Sequence, residues 1–419
     1  MTIGARSRTT GRFTTRDRRI IFLMALVAFV LGYGAAQISH TLTFARKSLS
    51  LTEGDMSLVF GITRAVSLLG LVFTVLADRR GRRLPFLIAF ALLPLGNLAT
   101  AVLPGVVPFT VSQSLTRVAV IGTAALAVVI LAEELSPSIR AFGLGIYGLA
   151  AAMGTGLGLV LLPIAERTDD AYRLLFGLTA VGLLLIPLLR RFLGESRAYV
   201  QYGKAVTFRR ALAAGLGRHF WPLAGMAFFI AAFSSPAFDF VLERLIDDLK
   251  WDTGPARGLL IFFSGPGSVA GFLFGGKLAD SVGRRPTSVA AMILGVAGGI
   301  GFYTQSSGWL LAPAIFVASL GATMLAPAFA AHRSELFPTR IRATAAGWVT
   351  NAAVAGSITG FLIGSVLIDR IGLSKTISAL GVGVVFAILL VLRLPETRGI
   401  DLVRRRAVPS APTTPAIRP

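Results

Sequence analysis

The fold class this sequence predicts is all-α and membrane-embedded: twelve spanning helices in two parallel sets of six around a central cavity. Three observations predict it. Of 419 residues, 54% are hydrophobic and only 15% charged, against about a quarter charged in soluble domains. The apolar residues come in uninterrupted runs of roughly the 20 residues that a crossing helix needs. Finally, three short motifs of the first half recur in the second at offsets of 201 or 202 residues, as parallel internal repeats would require.

Punctuation by Gly, Pro and charge places the spans at 20–42, 56–77, 84–103, 108–131, 141–163 and 172–190. A second set follows at 221–243, 255–278, 287–304, 308–331, 342–367 and 371–393. The polar, Arg-rich stretch 1–19 precedes a run with no small-residue cleavage site, so that run reads as a retained helix rather than a signal peptide. The chain then divides into a tail over 1–19, a first half over 20–190, a basic linker over 191–220, a second half over 221–393 and a tail over 394–419. An even number of spans puts both termini on one side. Counting basic residues at the helix ends with the side they adjoin, that side carries 29, the other 9, and 3 lie within helices, so both termini are expected in the cytoplasm of a bacterial inner (plasma) membrane.

Composition also excludes functions. The net charge of +21 comes from Lys and Arg in the breaks between apolar runs, not from a basic face interleaved with aromatics, so nucleic acid is not the expected partner. Cysteine is absent, and His40, His219 and His332 stand far apart without metal-ligand spacing. No nucleophile, base and orienter constellation and no phosphate-cradling loop is present, so neither an enzyme nor an ATP-driven pump is expected, and no metal or cofactor. The expected partners are a small-molecule solute, a coupling proton and the surrounding lipid, with the chain acting as a monomer.

The repeated motifs lie in the loops on the terminal side. ADRRGRR around Asp78 recurs as ADSVGRR around Asp280, EELSP at Glu134 as SELFP at Glu335, and LGESR at Glu195 as LPETR at Glu396. Gly81 permits a tight turn, Asp78 is placed to cap a neighbouring helix N-terminus, and Arg79, Arg82 and Arg83 are fixed cations with Glu134 and Glu195 as available partners. Arg140 follows in the same half, and Asp280, Gly283, Arg284, Arg285, Glu335, Arg340, Arg342 and Glu396 repeat the arrangement. The plainer reading of these charges is anchorage at the membrane surface.

These six motifs, in these loops, resemble the major facilitator superfamily, and within it the sugar and other organic-solute transporters. The resemblance implies alternating access around a midplane site, with the loop charge pairs latching a cytoplasmic gate. It also implies that the fifth, eighth and eleventh helices, which carry Gly154 and Gly158, then Gly267, Gly271 and Gly275, then Gly356, Gly360 and Gly364, meet between the halves.

Charges inside apolar runs are functional candidates by default. Arg64 and Arg117 lie roughly 12 to 14 Å into their helices at 1.5 Å per residue. Arg117 resembles the fourth-helix arginine of the family, which there serves substrate or proton coupling; Arg64 has Asp55 or Glu53 as alternative partners. In the seventh helix Asp239 and Glu243 share a face one turn apart. Asp239 is a candidate proton carrier or the partner of an arginine in the other half, and Glu243 an end-of-helix charge. Three family features are missing: Gly34 stands where the first-helix aspartate would be, SSPAFDF replaces the sugar-gripping amides, and LAPAFAAH lacks the tryptophan before SELFP. The remaining polar groups, Tyr33, Gln37, His40, Gln113, Arg117, Asp239 and Asn351, suit a small organic anion or zwitterion better than a sugar. The function expected is proton-coupled transport of such a solute, with coupling through Asp239, Arg117 or Arg64. The alternatives are drug or metabolite efflux, uncoupled facilitation, and a solute-sensing receptor.

Overall fold

The computed structural model describes residues 14–195 and 217–398, apart from Ser136 and Pro338. Most of the predicted linker and both tails therefore lie outside the described residues. Twelve helices are long and apolar enough to cross a membrane: α1 (Thr15–His40), α2 (Glu53–Ala77), α3 (Arg83–Val102), α4 (Val106–Leu131), α5 (Gly143–Glu166), α6 (Tyr172–Phe192), α7 (Gly217–Asp239), α8 (Thr253–Ser281), α9 (Arg284–Thr304), α10 (Gly308–Arg333), α11 (Ala345–Ile371) and α12 (Leu373–Leu392). Each lies within a few residues of its predicted span, and among the described residues there is no strand.

Local chemistry explains the ends. Thr14 and Asp17 form a capping box that opens α1, and Thr52 and Asp55 form one that opens α2. The second box matters for the site, because it occupies the carboxylate that the sequence offered to Arg64. α7 stops at Asp239, four residues earlier than expected, where Phe240 interrupts it before a short turn Val241–Glu243 and a π turn Arg244–Asp248.

The glycine rows serve close packing, but within each set of six rather than between the sets. A Cβ on Gly154 would lie 2.0 Å from the Phe29 carbonyl oxygen of α1, and one on Gly356 2.0 Å from that of Phe228 in α7. Gly158 faces Gln37 and His40 of α1, Gly360 faces Ala232, and Gly267, Gly271 and Gly275 face the backbone of α10. Of these rows only Gly364 crosses to the other set, against Ser57 of α2. Between the sets, aromatic packing accompanies the polar contacts of the site: Phe60 of α2 stacks on Phe361 of α11 at 5.0 Å, with Phe240 beside both.

Candidate functional site

α1, α2, α4 and α7 bring five of the predicted charged and polar side chains together in mid-bundle: Gln37, His40, Arg64, Arg117 and Asp239. Asp239, 4% exposed, accepts one hydrogen bond on each oxygen: from Ser39 Oγ at 2.6 Å and from Arg64 at 2.9 Å. Arg64 thus pairs with Asp239 and with neither Asp55 nor Glu53, and its guanidinium lies 5.8 Å over the Phe361 ring. A quarter of its side chain is exposed. Arg117 is buried, feels the charges of both Arg64 and Asp239, and donates no hydrogen bond to, and forms no ion pair with, any described residue. Close by on α1, Gln37 Oε1 and His40 Nδ1 are buried without a partner, as is Arg64 Nε. Buried polar atoms left unpaired cost on the order of 1 to 3 kcal/mol each. The cluster thus holds two guanidiniums against one carboxylate, together with several unpaired buried polar atoms.

Two predicted cavity residues are committed elsewhere. The Tyr33 hydroxyl donates to the Leu175 carbonyl at 2.9 Å, and the Gln113 amide donates to Asn97 and Thr100 at 3.2 and 2.8 Å. Asn97 in turn donates to the Gly34 carbonyl and to Thr179, so these groups tie α1, α3, α4 and α6 together rather than face a solute. The same network explains Gly34: a Cβ there would lie 2.8 Å from the Asn97 amide nitrogen, leaving no room for the family's aspartate. Asn351 is half-buried on α11 and makes no hydrogen bond through its side chain among the described residues.

A second cluster, at the end of the bundle remote from the termini, closes the seam between the two sets of helices. Arg46 pairs with Glu243 at 2.5 Å and with Asp247, Thr43 donates to Glu243, and Lys47 reaches Asp247 at 2.8 Å. Thr52 Oγ1 and the Gly54 amide donate to Asp369 at 2.7 and 3.0 Å, and Ser57 to the Phe361 carbonyl at 2.7 Å. Carboxylate oxygens of Glu53, Glu243 and Asp247 lie within 4.8 Å of one another, a spacing that suits a cation, and Arg46 already sits on two of them. Burial pushes the Glu243 carboxyl above its ordinary range against the pull of Thr43 and Arg46. For Asp247 the contacts with Lys47 and Arg46 outweigh burial and hold it below that range. The sequence reading missed Ser39, Thr43, Arg46 and Asp247.

At the terminal end the loop motifs build two matching clusters. Arg82 pairs with Glu133 at 3.2 Å, and the Arg82 and Arg83 amides donate to Glu195 at 2.6 and 3.4 Å. In the second set Arg284 pairs with Glu335 at 2.9 Å and Asp280 at 3.1 Å, and the Arg284 and Arg285 amides donate to Glu396 at 2.8 and 2.9 Å. Burial opposes ionisation of Glu396, yet these amides and those of Thr397 and Arg398 hold it below the ordinary range. The carboxylates that cap α3 and α9 are thus Glu195 and Glu396. Gly81 and Gly283 have φ of +96° and +130°, and a Cβ on either would collide with the capping carboxylate. Glu134 pairs with Arg16 at 2.6 Å instead of with the ADRRGRR arginines. Every one of these contacts stays within its own set of six. The side chains of Asp78, Arg140, Arg340 and Arg342 lie outside the described residues, and Arg79 is exposed.

Comparison with known proteins matches both halves. A family model described as Major Facilitator Superfamily matches residues 224–418, and one described as Sugar (and other) transporter matches residues 19–215. A protein of Cupriavidus pinatubonensis described as "Probable 4-methylmuconolactone transporter" is 25% identical over 386 residues, covering 86% of this chain and 89% of its own. Multidrug resistance protein MdtH of Citrobacter koseri is 29% identical over 165 residues, 38% of this chain and 39% of its own. Among solved structures, the xylose transporter XylE from E. coli in a partially occluded inward open conformation superposes with a TM-score of 0.73 at 18% identity, covering 93% of this chain and 100% of its own. A bacterial homologue of the human lysosomal transporter Spinster, inward-facing and unoccupied, gives 0.74 at 15%, covering 91% and 98%.

Proposed function

Because this chain belongs to the major facilitator superfamily, a family of transporters rather than enzymes, we propose that it is a secondary active transporter for a small organic anion, coupled to protons. The observation that carries the reading is Arg117, buried and without a described partner beside the Arg64–Asp239 pair. A carboxylate is the chemistry that satisfies a buried guanidinium best, through two parallel hydrogen bonds. Asp239 is the carboxyl group of the site to which a coupling proton binds, with Arg64 and Arg117 setting its field. The similarity to the "Probable 4-methylmuconolactone transporter" supports the substrate class, since a muconolactone is a small ring bearing one carboxylate.

With both termini in the cytoplasm of a bacterial inner membrane, the seam tied by Arg46, Glu243 and Asp369 is the outer one, and it is closed. A cytoplasm-active reporter fused after Pro419 is expected to be active and a periplasm-active one silent. The opposite pattern overturns the orientation.

Uptake by the purified monomer in proteoliposomes tests the function. With the interior alkaline, 4-methylmuconolactone or benzoate is expected to accumulate faster than in protein-free liposomes under the same gradient, and that excess is expected to vanish when an ionophore collapses the pH gradient. Accumulation of sugars or cationic drugs with no acid transported rejects the anion reading. Cationic drugs alone would favour efflux, the reading that the partial similarity to MdtH supports.

A further inference from the structure

Asp239 belongs to α7, but both groups that hydrogen-bond its carboxylate, Ser39 and Arg64, belong to the first six helices. The bridge is at once part of the central cluster and the innermost tie of the remote seam, whose outer ties are Thr43 and Arg46 on Glu243, Arg46 and Lys47 on Asp247, and Thr52 and Gly54 on Asp369. Among the described residues, Asp239 is the one carboxylate that Arg64 contacts, and Arg117 contacts none. Arg64 Nε is buried and free, so this guanidinium has donors to spare, and a quarter of its side chain is exposed.

From this geometry we propose that Asp239 is a resident stand-in for the carboxylate of the solute. An anion arriving at this cluster takes Arg64 and Arg117 together, Asp239 is displaced from Arg64, and the seam keeps only its outer ties. The exchange replaces one carboxylate by another on the same guanidinium, so it adds no buried net charge to the Arg64 contact and satisfies Arg117 for the first time. Released into the loosening seam, Asp239 regains water. Occupancy of the site is thereby converted into a tendency of the seam to open, because the anion binds the open arrangement better than the closed one. The inference rests on the reading of the chain as an anion transporter and adds that the protein's own carboxylate competes with the solute.

The chain contains no cysteine, so a single introduced pair reports on the seam. Segments 162–166 and 253–259 pack against each other across it, Glu166 and Gly254 are exposed, and a side chain on Gly254 meets nothing. Spin labels on Glu166→Cys and Gly254→Cys in the full-length protein give the population with a long, opened distance. Without ligand, Asp239→Asn and Arg64→Gln are each expected to raise that population at least fivefold. Benzoate, the probe used, should raise it in the parent and leave it unchanged in Asp239→Asn. The two variants should move benzoate affinity oppositely, about fivefold tighter for Asp239→Asn and at least fivefold weaker for Arg64→Gln. Should Asp239→Asn fold poorly, Ser39→Ala removes one tie while keeping every charge, and is expected to raise the open population about twofold. A ligand-free distribution unchanged in Asp239→Asn and in Ser39→Ala overturns the proposal even if acids are transported. Tighter benzoate binding with a seam that ignores benzoate also overturns it, and identifies a permanent ion pair. If the seam responds to Asp239→Asn but no acid is taken up or bound, the anion reading fails instead.

Discussion

Arg117→Lys is expected to reach the membrane in near-normal amount and to lose more than nine-tenths of carboxylate uptake. The lysine keeps the positive charge beside Asp239 and fills much of the same space, so helix packing around α4 is preserved. It lacks the planar pair of donors that grips a carboxylate at two points. Losing one charge-assisted hydrogen bond of about 1.5 to 3 kcal/mol corresponds to roughly ten- to a hundredfold in affinity. The structure also settles which control to run. Asp239 is hydrogen-bonded to Arg64 and Ser39, so Arg117→Ala does not orphan it, and adding Asp239→Asn is expected to bring no rescue of yield. Folded yield and uptake for the two singles and the double decide it. Near-normal uptake by Arg117→Lys, or restored yield in the double, would show that Arg117 is a structural cation.

The architecture was legible because crossing a membrane imposes a length and polarity constraint that single residues cannot hide. The twelve spans and the loop motifs followed from that constraint and from the repeat. Side-chain partners were less legible, because an apolar helix in lipid does not announce which face meets its neighbour. Asp55 was offered to Arg64 on sequence proximity, but the α2 capping box uses it first. Gln113 and Tyr33 looked like cavity groups because they are polar in apolar runs, and such groups equally serve as glue between helices. Glu134 was offered to the ADRRGRR arginines, yet Arg82 pairs with Glu133, one helical step of 100° away, and Glu134 reaches Arg16.

One signal in the sequence was sufficient to find the seam. Parallel halves related by a twofold axis bring equivalent positions face to face near that axis. The repeat offset of 201 to 202 residues therefore predicts contacts between residues about that far apart at the ends of α1 and α7. Ser39 with Asp239, Thr43 with Glu243 and Arg46 with Asp247 are separated by 200, 200 and 201 residues. Polar pairs at the repeat offset are thus a readable mark of where the halves touch.

The seam also carries the second large effect, which Arg46→Ala exposes. Glu243 has no exposed side-chain surface, and apart from Thr43 its one described partner is Arg46, itself only 14% exposed. Removing one member of a buried pair costs about 3 to 5 kcal/mol, because the other charge is left without water or counterion. That penalty applies to the closed seam alone, since opening hydrates Glu243. Arg46→Ala is therefore expected to shift the closed-to-open ratio by roughly a hundred- to several-thousandfold at neutral pH, seen as loss of the short distance between labels at positions 166 and 254. Acid should reverse it. Burial raises the Glu243 carboxyl in the closed state, so the closed form binds the proton more tightly than the open one. Closure in Arg46→Ala is present at low pH and is lost as pH rises through the closed-state value. Arg46→Met combined with Glu243→Leu removes both charges at once and should restore closure at every pH, since an apolar pair of similar size needs no counterion. An Arg46→Ala seam that stays closed at neutral pH would mean that Lys47 and the Asp369 contacts hold the outer end by themselves.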